Sequence, residues 1–353
     1  MDFTFTEEQQ MMAGAFRELL DDLCSPEALR AAAEKRGDES GARWARIAEL
    51  GLPGVLAPEA AGGMGLGDTD FVLIAEEAGR AALPEPLVEQ AGIAVPLLAG
   101  LAPHAPRAAE ILAQAASGAL RVAVGAPGNP FVLGAAQAGV LLLADGDEVH
   151  LVERAGVGLV AQPSIDTLRA LARVEWQPSA ATRLVSGAAG RTAWARAFER
   201  GALYAAAQCL GLTQRMIDIA VAYACERTQF GRPIGSYQAI KHHLATVQVK
   251  LEFARAHVYA AAARVVDADQ RAAAAVSSAK LAAGDAAELA ARTGIQVHGA
   301  MGYSWEVDLH FYMKRAWALI GSWGDRSFHM RRVQSLVLGG SLPLGSDQTF
   351  VRS

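Results

Sequence analysis

From Glu226 to Ala245 the chain reads ERTQFGRPIGSYQAIKHHLA, a run of side chains suited to holding a polyanion. Arg227 is a rigid, permanently charged fork that matches a pyrophosphate. Gln229 and Gln238 add amides that both donate and accept, and Phe230 offers an aromatic face. Gly231, lacking a side chain, lets backbone come close to a ligand. These types at this spacing suit a phosphate-bearing cofactor. They also suit a solvated helix end, with Arg227 paired to Glu226 or to nothing.

The remaining polar residues suggest less. His242 and His243 sit beside Lys241 in a helical stretch and read as surface residues. His298 and His310 have no cysteine or carboxylate at metal-ligand spacing, so no metal site is expected. Trp44, Trp176 and Trp317 read as core or interface residues. Cys24, Cys209 and Cys225 form no CxxC pair and no even disulfide set, which fits a reducing compartment. The net charge is -5 and no cluster of Lys and Arg forms a basic face, which argues against nucleic-acid binding. The opening MDFTFTEEQQ has no apolar run of a signal peptide, and no apolar stretch approaches the roughly 18 residues of a membrane span. The expected location is the cytoplasm.

The elements that must position these residues are mainly helical. Of the 353 residues 52% are hydrophobic and 20% charged, a globular balance rich in alanine, the best helix former. Thr6 with Gln9 forms a capping-box pattern, followed by a stripe of Met12, Phe16, Leu19, Leu20 and Leu23. Ser25-Pro26 stops that helix and starts another. A further helix through Trp44, Ile47 and Leu50 ends at Gly51, and the Gly- and Pro-rich 50–68 reads as a loop. Helices resume from Thr69 to Arg80 and over about 85–116. Then RVAVGA, GVLLLADGDEVHLVE and ARVEWQP read as short strands, with Asp145-Gly146 a hairpin signal. From Arg191 to about Val337 the chain reads as helix again. Leu244, Val247, Leu251 and Val258 form the seam of one bundle helix. Val276, Ala279, Ala283, Ala286 and Ala290 form a small-residue face on the next. The expected domains are 1–117 (helical), 118–186 (small β), 187–340 (helical bundle) and a tail, 341–353.

Three stretches, in this order, resemble the acyl-CoA dehydrogenase family. They are LGLPGVLAPEAAGGMGLG with the following EEAGR (76–80), ERTQFGRPIGSYQAIKHHLA (226–245), and AARTGIQVHGAMGYSWEVDLHFYMKRA (290–316). With the α–β–α order, the resemblance covers nearly the whole chain. It implies a mainly α fold with a small, here reduced, middle β domain and a C-terminal four-helix bundle. It also implies FAD as cofactor and α,β-dehydrogenation of an acyl-CoA as activity. Arg227, Gln229, Phe230 and Gln238 fall in the family's bundle signature. Gln296, Gly299 and Gly302 match positions that approach the adenosine and pyrophosphate of FAD, across a subunit interface. Ala300 stands where the family often has glycine. The same glycines would also suit a helix C-terminus needing positive φ.

The chain departs from the family where the chemistry happens. The family removes the acyl α-proton with a carboxylate, commonly a Glu before a glycine near the chain end. Aligning MKRAWALIGSWGD (313–325) there puts Trp323 at the Glu position and Gly324 on the glycine. Indole cannot accept a proton. A minority of the family places its base on an earlier bundle helix, where this chain has Gly201. Asp325 and Glu199 each lie two residues away from those positions. Two residues on a helix turn a side chain by about 200°. No catalytic residue is therefore assigned. The family's Thr-Glu-Pro, Gly-Ser and Trp-Ile-Thr segments, which line the isoalloxazine, are missing, and GAPGNPF (125–131) carries no hydroxyl.

The resemblance thus implies a flavoprotein subunit that lends the ADP half of an FAD site to a paralogous acyl-CoA dehydrogenase subunit. It points to fatty acid or steroid catabolism, with an electron-transferring flavoprotein as acceptor. The competing expectations are a self-sufficient homo-oligomer using Asp325, and a helical assembly protein without flavin.

Overall fold

A computed structural model describes residues 4–35, 40–342 and 345. The tail expected over 341–353 falls mostly outside these described residues. In chain order, helices α1 (Glu7–Leu23), α2 (Pro26–Lys35) and α3 (Ser40–Glu49) are followed by the loop and by α4 (Asp68–Arg80). Then come α5 (Leu87–Glu89), a π-turn at Gln90–Ala94, α6 (Val95–Leu101) and α7 (Pro106–Ala116). Seven strands occupy the middle: β1 (Val122–Val124), β2 (Phe131–Leu133), β3 (Val140–Asp145), β4 (Glu148–Glu153), β5 (Gly158–Gln162), β6 (Leu171–Glu175) and β7 (Arg183–Val185). After α8 (Gly187–Glu226) a small hairpin, β8 (Thr228–Gln229) and β9 (Arg232–Pro233), precedes α9 (Gln238–Ala262), α10 (Gln270–His298), α11 (Leu309–Ile320) and α12 (Arg326–Val333). The mainly α class with a small β region is as expected.

Local chemistry sets the helix ends. Thr6 and Gln9 close the capping box: the Thr6 N–H donates to Gln9 Oε1 (2.9 Å) and the Gln9 N–H to Thr6 Oγ1 (3.2 Å). Ser25 Oγ accepts the Ala28 N–H, with Pro26 at the first position of α2. Asp269 caps α10 by accepting the Ala272 N–H at 2.8 Å. Gly51, at φ 69°, turns the chain out after α3.

The chain divides into two compact units. One comprises Leu20–Phe71 and Leu83–Gly201. It holds the two β layers: a four-stranded sheet in the order β1-β3-β4-β7, and a three-stranded sheet in the order β2-β6-β5. β1 runs parallel to β3, and the other pairs are antiparallel. Leu141, Leu143 and Val152 share a core with Val132 and Ala172. Three strands, β2, β5 and β7, were not expected. They are short, and β5 and β7 carry no fully buried residue, so no apolar run marks them. Gln90, in the π-turn, is buried; its Nε2 donates to the carbonyls of Ala115 and Leu120, and its Oε1 accepts the Val122 N–H.

The other unit comprises Met1–Leu19, Val72–Ala82 and Ala202–Ser353. Here α4 meets α8 backbone to backbone. A Cβ on Gly79 would lie 2.1 Å from the Gln208 carbonyl oxygen, and one on Gly211 would lie 1.9 Å from that of Glu76. The glutamates of EEAGR are tied into this unit. Glu76 accepts from the Tyr259 hydroxyl (2.7 Å) and from Arg255, and Glu77 accepts from Arg17 and Arg80. α10 packs against α9, α11 and α12. Of the expected α9 seam Val247, Leu251 and Val258 are buried and Leu244 is half-buried, and the α10 face of Val276, Ala279, Ala283, Ala286 and Ala290 is buried throughout.

Candidate functional site

The Arg227 stretch is a two-residue hairpin. Phe230 (φ 53°) and Gly231 (φ 79°) are both left-handed, the geometry of a type I′ turn between β8 and β9. Phenylalanine is strained there, and its ring is 92% exposed. The hairpin rests on Tyr237. The Arg232 guanidinium sits 4.2 Å from the Tyr237 ring centroid, Phe230 meets that ring edge-on at 6.5 Å, and the Tyr237 hydroxyl donates to the Gln229 carbonyl. The Arg227 backbone anchors the hairpin at both ends, its N–H donating to the Tyr223 carbonyl and its carbonyl accepting the Ile234 N–H, each at 2.8 Å. Its guanidinium is exposed, and among the described residues no carboxylate pairs with it. Gln229 and Gln238 are exposed as well.

Gln296 lies on the last turn of α10, and the fold brings it to the same end of the bundle. Val297 shares a small core with Ala220 and Ala224 of α8, and Ile234 and Leu244 pack on it. His298 donates Nδ1–H to the Gly294 carbonyl at 2.8 Å and stacks on Tyr223. Gly299 ends α10 at φ 60° and ψ -134°, a region that suits only glycine. Gly302 is fixed by contact, since a Cβ there would lie 2.9 Å from both Cα and O of Ile295. Both glycines therefore have a structural reason that stands beside any contact with a ligand. Met301, Tyr303 and Trp305 leave large apolar groups exposed beside them.

The segment aligned above with the family's base position is a tight connection between α11 and α12. Trp323 (φ 54°) and Gly324 (φ 93°) are both left-handed. A Cβ on Gly324 would meet His329 Nε2 at 2.7 Å. His329 is fully buried, and its Nε2 lies 3.0 Å from the Trp323 carbonyl. That acceptor requires the proton on Nε2, so Nδ1 accepts from the Ser277 hydroxyl at 3.1 Å. Burial pushes the imidazole down to about 4, so it is neutral at physiological pH. Lys280, buried on α10, donates to the carbonyls of Leu319 (2.9 Å) and Ile320 (2.8 Å), which closes the C-terminus of α11. Burial lowers its ammonium to about 8. Asp325 caps α12, one carboxylate oxygen accepting the Phe328 N–H at 2.7 Å. The backbone around position 323 is thus over-determined, and the side chain it presents is an indole. Tyr223, Tyr237, Lys280 and His329 were not singled out from the sequence.

In the other unit Gly201 and Glu199 are buried on α8. GAPGNPF forms a turn at Gly128 (φ 75°), closed by the Phe131 N–H donating to Asn129 Oδ1. Asp145, Glu148 and His150 also converge, with ligand-type atoms within 4.8 Å of one another. Both imidazole nitrogens of His150 are engaged, with Thr182 and Glu148, and Glu148 also accepts from Arg183. This is a hydrogen-bonded ion-pair network.

Residues 6–119 match the acyl-CoA dehydrogenase N-terminal domain, and residues 188–333 match the acyl-CoA dehydrogenase C-terminal domain. The chain belongs to the acyl-CoA dehydrogenase family. Among relatives, acyl-CoA dehydrogenase IpdE2 of Mycobacterium tuberculosis is 34% identical over 88% of this chain and 91% of its own. Acyl-CoA dehydrogenase FadE34 of the same organism is 36% identical over 84% of this chain and 42% of its own length. Among solved structures, a chain of the ChsE4-ChsE5 complex from M. tuberculosis superposes with a TM-score of 0.85 at 25% identity, covering 98% of this chain and 100% of that one.

Membership makes this chain a flavoprotein oxidoreductase of the FAD-dependent kind. Its α8–α10 bundle end carries residue types that could hold a phosphate-bearing cofactor. It offers a permanent cation at Arg227 that no carboxylate pairs among the described residues, exposed amides at Gln229, Gln238 and Gln296, and backbone left open by Gly299.

Proposed function

We propose that this chain is the supporting subunit of a heteromeric acyl-CoA dehydrogenase, lending the ADP half of an FAD site to a catalytic paralogue. The carrying observation is a contrast within one bundle: an exposed Arg227 that no carboxylate pairs among the described residues, and Trp323 at the aligned base position. When bound, FAD would supply the acceptor for a hydride leaving the acyl β-carbon. In this reading Arg227 holds the pyrophosphate, while Gln229, Gln238 and Gln296 orient the adenosine end. Phe230, strained and exposed, covers the cofactor or the partner surface beside it. Proton removal from the acyl α-carbon falls to the partner, because the Trp323 side chain offers only an N–H donor. Similarity to a chain of the two-component ChsE4-ChsE5 complex supports the arrangement. The substrate is then an acyl-CoA held mostly by the partner, with an electron-transferring flavoprotein as acceptor.

The test is to express the chain alone and together with a paralogue encoded beside it. Flavin per chain and turnover on a panel of acyl-CoAs, long and branched ones included, are then measured. The chain alone should be colourless and inactive, and the co-purified complex yellow and active. A yellow, active isolated chain whose turnover is abolished by Asp325→Asn would replace this reading with a self-sufficient homo-oligomer. A colourless complex would replace it with a flavin-free assembly protein.

A further inference from the structure

A cavity of about 280 Å³ lies between α10, α11 and the start of α12, wholly within Ala202–Ser353. Leu281 and Gly284 of α10 and Ile320 of α11 line it with apolar surface, and the exposed Asp285 and Arg326 mark its opening to solvent. The charged groups there are already engaged. Arg326 Nε donates to Asp285 at 3.1 Å, and Glu288 accepts from Arg292 at 2.7 Å. Both ring nitrogens of His329 are taken, by Ser277 and by the Trp323 carbonyl. Lys280 differs. It lines the same cavity, is 4% exposed, and donates from Nζ to the carbonyls of Leu319 and Ile320. Those two bonds use two of the three Nζ positions. The third is a proton when the amine is charged and a lone pair when it is neutral. Burial lowers Lys280 to about 8, so roughly a tenth of it is neutral at pH 7, against about one in 3,000 for an ordinary lysine.

We propose that Lys280 is a carbonyl-reactive amine that forms a Schiff base with a short aliphatic aldehyde held in this cavity. The Nζ lone pair forms the C–N bond as the carbonyl π pair moves to oxygen. That oxygen then leaves as water, taking one proton from Nζ and one from solvent, and an iminium remains. The surroundings select this product over the other reactions of a lysine. An iminium keeps a positive charge beside the C-terminal carbonyls of α11, and keeps one N–H for one of them. Acylation would remove that charge. Carbon dioxide would place a carboxylate against those carbonyls and near Asp285 and Glu288. The size selects a short chain, since 280 Å³ falls just below the roughly 300–1,000 Å³ of drug-sized sites, and the apolar lining of Leu281, Gly284 and Ile320 suits hydrocarbon.

The experiment is reductive trapping of the full chain with butanal and cyanoborohydride at pH 7, followed by peptide mass mapping against time. Lys280 should acquire one butyl group at least about tenfold faster than the exposed Lys241 and Lys250, the direction set by its larger neutral fraction. Gly284→Leu tests the cavity itself. A Cβ at Gly284 meets Ile320 Cγ1 at 3.6 Å, an ordinary contact, so the rest of the leucine side chain enters the cavity. This variant should slow Lys280 to the rate of the two surface lysines and leave their rates unchanged. Lys280→Arg keeps donors for the two carbonyls and should lose the fast adduct alone. Circular dichroism checks that the variants fold, and if Gly284→Leu does not, the wild-type comparison decides. Labelling of Lys280 no faster than that of Lys241 and Lys250, or unchanged in folded Gly284→Leu, would overturn the proposal.

Discussion

The ring of Tyr223, on the last turns of α8, stacks on the imidazole of His298, on the last turn of α10, with centroids 4.3 Å apart and planes at 25°. The stack fixes the distance between two motifs far apart in sequence, one ending in Gln238 and the other containing Gln296. Tyr223→Ala should cost stability, roughly 1–3 kcal/mol for a half-buried aromatic. It should also lower flavin retention in the co-purified complex. Tyr223→Phe keeps the stack and should behave as wild type in both denaturant titration and flavin count.

Arg227 is a cleaner probe, because its side chain is exposed. Arg227→Ala should leave the thermal midpoint unchanged and weaken FAD binding to the complex by about 10- to 100-fold, the range for one charge-assisted hydrogen bond. Arg227→Lys should recover only part, since a point charge does not replace the fork. Fluorescence titration of the apo-complex with FAD measures both.

Asp325 separates a structural carboxylate from a catalytic one. Asparagine caps a helix about as well as aspartate, whereas alanine does not. Asp325→Ala should lower the unfolding free energy by about 1 kcal/mol, and Asp325→Asn by a few tenths at most. Neither should change turnover of the complex. Urea denaturation beside an activity assay reads both.

His329 should give an acid limb to stability. Burial lowers its folded-state value from 6.5 to about 4, so between those values the unfolded chain binds a proton that the folded chain does not. Its contribution is fully present above about pH 6.5 and is lost as pH falls to about 4, on the order of 3 kcal/mol in all. His329→Gln should flatten that limb of the denaturation free energy against pH.

What the sequence made legible followed from periodicity and capping. The α9 seam, the α10 alanine face, the Thr6–Gln9 box and the β3–β4 hairpin at Asp145-Gly146 all stand where the residues put them. The site was readable as composition, not as shape. Phe230 is not a turn former, so nothing in TQFGRP announced a hairpin with a left-handed phenylalanine. Lys280 and His329 were silent because each bonds backbone carbonyls, of Leu319, Ile320 and Trp323, and a carbonyl leaves no mark in a residue pattern. The π-turn at Gln90–Ala94 was equally hidden, since its one-residue excess does not interrupt an apolar run.

That π-turn matters beyond its local geometry. β1 is an edge strand, and edge amides ordinarily open without disturbing their neighbours. The Val122 amide instead ends on the Gln90 side chain, whose other atoms hold the carbonyls of Ala115 and Leu120. One carboxamide therefore joins the helical run, the end of α7 and the first strand into a single cooperative unit. The Val122 amide is expected to exchange with the helices that hold Gln90, not by fraying of the sheet edge alone.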